Sequence, residues 1–67
     1  MADTAAHDEA QIIEGAFEQR VHDIFKTFAE AIYTGEPERD AATRFRRGLI
    51  SARRARAAAL EVAKEEA

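Results

Sequence analysis

Sixty-seven residues without a cysteine make at most one small domain, with no disulfide or thiolate-bound metal to hold it. Its net charge of −3 conceals a sorted distribution: residues 1–38 carry nine acids and two bases, residues 39–56 carry seven arginines and one aspartate, and residues 57–67 return to −2. No apolar run approaches the roughly 20 residues of a membrane span, and the polar, acidic start is no signal peptide, so a soluble chain in a reducing, cytoplasmic setting is expected.

Residues 1–7 read as a disordered N-terminal tail, as chain ends do unless tied down. From Asp8 onward the apolar residues fall at Ile13, Phe17, Val21, Ile24, Phe28 and Ala31. These steps of three and four predict an amphipathic helix over residues 8–34, widened on one side by Phe25 and Ile32. Asp8 and Gln11 have the spacing of a capping box, while Gly15 weakens the first turns. Gly35 suits the left-handed position that ends a helix, residues 35–36 form the turn, and Pro37 suits the opening of a second helix. That helix is predicted over residues 37–64, with Glu38 and Asp40 placed well at its positive end.

The second helix presents Ala42, Phe45, Leu49, Ala52, Ala59, Leu60 and Ala63 on its apolar face, and Gly48, Ala52, Ala55 and Ala59 form a small-residue stripe beside it. Bulk on helix one opposite small residues on helix two permits close packing. The short turn makes the helices antiparallel neighbours, which sets Ile24 near Gly48, Val21 near Ala52, and Phe17 near Ala55 or Arg56. The fold class is therefore all-α, an antiparallel helical hairpin of residues 8–67.

A lone hairpin leaves Phe25, Ile32, Leu49 and Leu60 wet, and a patch of that kind is unusual on a monomer. A two-fold homodimer would close it into a four-helix bundle, with Phe17, Val21, Ile24, Phe25, Phe28, Phe45, Leu49, Ala52 and Leu60 in the core or the dimer contact. This architecture resembles that of the small plasmid-copy-number RNA-binding hairpin proteins in shape alone; no motif residue is shared.

Arg39, Arg46 and Arg53 recur every seven residues, and Arg47 and Arg54 occupy the next position, so the five form a stripe flanking Ile50. One reading is a solvated face neutralised by Glu14, Glu18, Asp23 and Glu30 of helix one, the arginine stems covering apolar surface. The other is a partner surface, for an acidic protein or for the phosphates of RNA or DNA. The acidic balance of the whole chain weighs against nucleic acid. Arg56 differs, because it points near the middle of the apolar face. It either pairs with Glu14 at the matching level or reaches outward to water.

Signals for chemistry are few. Glu18 and His22 stand four apart, a spacing that ligates metal only where further ligands converge, and a helix-surface ion pair is the plainer reading. His7 falls in the tail, Tyr33 suits a packed hairpin end, and Ser51 is an isolated hydroxyl. No nucleophile–base spacing or glycine-rich phosphate loop occurs. Alanine fills 16 positions and arginine outnumbers lysine eight to two, usage typical of a GC-rich bacterial genome. The expected function is a small non-catalytic module, without cofactor or metal, that self-associates and binds a protein partner. The alternative is an RNA- or DNA-binding hairpin dimer working through Arg46, Arg47, Arg53 and Arg54, and membrane binding ranks last.

Overall fold

The computed structural model describes the backbone of residues 2–66 and the side chains of residues 8–65. Two helices fold back on each other: α1, Ala2–Tyr33, and α2, Glu38–Glu66. The molecule measures 52 × 15 × 7 Å along its principal axes, a single layer of two helices. No helix among the described residues is long and apolar enough to cross a membrane.

The turn follows from local chemistry. Gly35 has φ 86°, the left-handed conformation in which glycine carries no Cβ penalty. The Glu36 N–H donates to the Ala31 carbonyl at 3.0 Å and the Gly35 N–H to the Ile32 carbonyl at 3.1 Å. This reciprocal pair is a Schellman motif, and it satisfies carbonyls that the end of α1 would otherwise leave open. The Thr34 hydroxyl donates to the Ala31 carbonyl as well, at 3.1 Å. The Pro37 carbonyl then accepts from the N–H groups of Asp40 and Ala41, at 3.1 and 3.2 Å. Pro37 is thus the N-cap of α2, one residue earlier than the first-turn position expected of it. Glu38 and Asp40 occupy the first turn at the positive end of the helix dipole.

At the other end, α1 passes through Asp8 without a break. The capping-box spacing of Asp8 and Gln11 therefore does not mark the helix start. Ala5, Ala6 and Ala10 favour helix on either side of Asp8, and that propensity outweighs one favourable cap. The side chains of residues 1–7, the stretch read as a disordered tail, lie outside the described residues.

Between the helices the contact is close and made of small groups. Among the described residues Ala31, Ala41 and Ala52 are the buried apolar ones, and no large side chain is fully buried. A Cβ built on Gly48 would stand 3.3 Å from both Cδ1 and Cγ2 of Ile24, so the helices pass closely at Gly48. The Phe28 and Phe45 rings meet at 5.2 Å, tilted by 35°, and anchor the turn end. Phe17, Val21, Ile24, Phe28, Phe45, Leu49 and Leu60 are half-buried, while Phe25 is 55% exposed.

One correction concerns the phase of α2. Ala42, assigned from the sequence to the apolar face, is only half-buried, and Ala41 is the most deeply buried apolar residue at 1% exposure. The helix is turned so that Ala41, Gly48 and Ala52 lie along the line of closest approach. Small residues permit that approach, and it favours their line over the bulkier one through Ala42 and Leu49.

Gly15 contrasts with Gly48. It lies inside α1, and nothing stands within 4 Å of a Cβ built on it. Gly15→Ala is therefore expected to stabilise the fold by about 0.5–1 kcal/mol, read as a rise in the denaturant midpoint.

Candidate functional site

Among the described residues two ion pairs brace the hairpin. The Arg56 guanidinium forks onto the Glu14 carboxylate, with Nε donating to Oε1 at 2.6 Å and Nη2 to Oε2 at 2.5 Å. The same guanidinium lies 5.5 Å from the centroid of the Phe17 ring. Of the two readings of Arg56, the pair with Glu14 is the one present. Two donors in a plane on two acceptors in a plane fix orientation as well as distance, so the contact sets the register of α1 against α2. The side chains stay 38% and 44% exposed, which limits how much the pair stabilises.

Arg44 escaped the sequence reading. It lies off the arginine stripe and grips Glu36 in the turn, Nη1 to Oε1 at 2.5 Å and Nη2 to Oε2 at 2.7 Å. Glu36 is the residue whose N–H closes the Schellman motif, so Arg44 ties two turns of α2 back onto the end of α1. A carboxylate just outside one helix and an arginine eight residues later was the available signal.

Both carboxylates are held below the ordinary range by the hydrogen bonds from their arginines, Glu14 by Arg56 and Glu36 by Arg44, against a smaller opposing effect of desolvation. A carboxylate with a depressed folded-state pKa stabilises the fold at neutral pH, and that contribution is lost as pH falls through the folded-state value. Unfolding midpoints at one fixed protein concentration should therefore decline as pH drops below the usual carboxylate range. The decline should be smaller in a Glu14→Gln, Glu36→Gln double variant.

The stripe is a different case. Arg39, Arg46, Arg47, Arg53 and Arg54 are all exposed, and none has an ion-pair partner among the described residues. The expectation that helix-one acids neutralise them does not hold. Glu14 is taken by Arg56, Asp23 accepts from Gln19 at 3.2 Å, and Glu18 and Glu30 are exposed without an ion pair. The reason is rotational: with Ala41, Gly48 and Ala52 against α1, helical spacing sets the stripe on the edge and back of α2. Ile50 lies among these arginines, 48% exposed.

Glu18 and His22 form no ion pair, and among the described residues no group of three or more His, Cys, Asp or Glu stands close enough together to hold a metal ion. Tyr33 does not pack against the hairpin end, being 89% exposed.

The two broad sides of the hairpin differ. One carries a shallow groove of about 250 Å³ lined by Ile13, Ala16, Phe17, Ala52, Ala55 and Ala59. It continues toward the turn past Arg20, Thr27 and Arg44. On helical spacing, Glu18, Phe25 and Ile32 of α1 fall on the opposite side, as do Leu49, Arg53 and Leu60 of α2. The second side is apolar toward the turn and charged toward the middle. No protein-family model, curated protein or solved structure matches the chain.

Proposed function

We propose that this chain is a non-catalytic interaction module that self-associates and presents the arginine face of α2 to an acidic protein partner. The observation that carries the reading is surface area. The chain exposes 5369 Å². A compact chain of 7.4 kDa is expected to expose about 4,200 Å², so roughly 1,200 Å² is in excess. A standard stable interface covers about 800 Å² on each partner, which is within that excess. Ile12, Phe25, Ile32, Ile50 and Val62 contribute large apolar side chains to it, each more than a third exposed.

The arginine face supports the second half of the reading. Guanidiniums without carboxylate partners along the edge and back of α2, Arg47 and Arg54 among them, suit an acidic surface. Binding of a poly-glutamate peptide at low salt, lost in an Arg47→Glu, Arg54→Glu variant, is the expected result. Sedimentation equilibrium at micromolar concentration should give twice the chain mass of 7.4 kDa.

The same unpaired arginines favour one rival, a phosphate-tracking face for RNA or DNA. A duplex RNA titrated beside the peptide separates the two. Binding that weakens steeply with salt, with a slope that shrinks by about 0.7–0.9 for each arginine removed, would replace the protein partner with nucleic acid.

A further inference from the structure

We infer that the occupant of the Phe25–Leu49 face is a second copy of this chain, related by a two-fold axis parallel to the helices, with both turns at the same end and α1 lying over the partner's α2. The inference rests on the self-association proposed above and specifies its geometry. Two symmetric ways exist to stack one flat hairpin on another through the same face. With the axis across the helices, α1 covers the partner's α1 and α2 covers the partner's α2. With the axis along them, each α1 covers an α2. Sorted charge and apolar position discriminate between the two.

Levels along the hairpin come from contacts already described. Ile24 meets Gly48, Phe28 meets Phe45, and Arg56 meets both Phe17 and Glu14. Phe25 therefore stands at the level of Arg47 and Gly48, within two residues of Leu49, and Glu18 stands within two residues of the level of Arg53. An axis along the helices preserves level. It sets Phe25 over the partner's Leu49, Ile32 over the partner's Ala42 and Glu18 over the partner's Arg53, each contact occurring twice. Apolar groups meet apolar groups, and an acid without an ion pair meets an arginine without one. An axis across the helices stacks the acidic α1 on itself and the arginine stripe on itself. When Phe25 meets its own copy in that arrangement, Ile32 lands over the partner's Glu18, so apolar surface is covered by charge. Like charges face to face are disfavoured, as is a carboxylate over an apolar side chain.

The chain lacks cysteine, so one can be introduced as a unique label site. Tyr33 is suited to this, being 89% exposed beside the turn. Spin-labelled Tyr33→Cys should give an inter-label distance below about 30 Å, set by helix separations of 8–10 Å and the reach of the labels. A second label at the open end, on the exposed Asp8 as Asp8→Cys, should give an equally short distance. An axis across the helices separates at least one of the two label pairs by about 37 Å or more whatever the register, because positions 8 and 33 stand 25 residues apart on α1. A dimer with the long distance at either site overturns this arrangement and leaves self-association standing. A monomer at high micromolar concentration overturns both. Charge reversal gives an independent reading. Glu18→Arg and Arg53→Glu should each weaken dimerisation about tenfold, since each creates two like-charge contacts per dimer, and the double reversal should recover most of the loss. A double variant no better than the weaker single one would refute the Glu18–Arg53 contact and with it the arrangement.

Discussion

Ala52→Leu is expected to lower stability by about 1–3 kcal/mol, whereas Ala58→Leu should stay within about 0.5 kcal/mol of the parent. Both substitutions add the same three carbons to the same helix, and leucine has nearly the helix propensity of alanine. Location separates them. Ala52 is 8% exposed on the line of closest approach, and Ala58 is exposed on the outer side of α2. A leucine at position 52 has to push α1 away or leave its preferred rotamer, and either disturbs the fit of Gly48 against Ile24 one turn away. Denaturant midpoints at one fixed protein concentration check this. Equal shifts for the two variants would mean that the interhelical line does not pass through Ala52. Ala41→Leu, at a site only 1% exposed, should resemble Ala52→Leu.

Phe25→Asp separates the isolated hairpin from its assembly. In the hairpin alone Phe25 is 55% exposed, and substitution at such a site usually changes stability by less than about 0.5 kcal/mol. In a two-fold dimer each subunit loses the burial of a phenylalanine, worth about 1.5–3 kcal/mol, and a carboxylate must leave water in its place. The expected result is a monomer at micromolar concentration with a melting temperature well below the parent's. The parent's melting temperature should rise with concentration, since dimerisation is linked to folding, and the variant's should not. A variant as stable as the parent, with the same concentration dependence, would remove Phe25 from the interface.

The helices and their turn were legible because their causes are local. Three- and four-residue apolar steps, a glycine able to take a left-handed φ, and a proline followed by acids each act within a few residues of themselves. The Arg56–Glu14 pair was legible for a related reason. A charge in the middle of an apolar stripe requires a partner, and antiparallel register leaves Glu14 at the matching level. The same antiparallel register sets Ile24 against Gly48.

What the sequence left open is rotation and cross-helix reach. A one-residue change in the phase of α2 exchanges Ala42 for Ala41 as the buried residue, and a periodicity of 3.6 does not resolve so small a turn. The arginine stripe depends on the same angle. With α2 rotated toward its small residues, the five arginines form no ion pair with Glu18 or Glu30. Arg44 finds Glu36 because the Schellman turn directs the chain back across the helix end, a geometry that the spacing of the two residues alone does not encode. Local propensity and apolar spacing determined by themselves that the described chain is a two-helix hairpin with Gly35 at its turn. The tertiary structure decided which side chains those helices bury, which arginines are paired and which face stays uncovered, because those follow from an interhelical rotation that brings Ala41, Gly48 and Ala52 against α1.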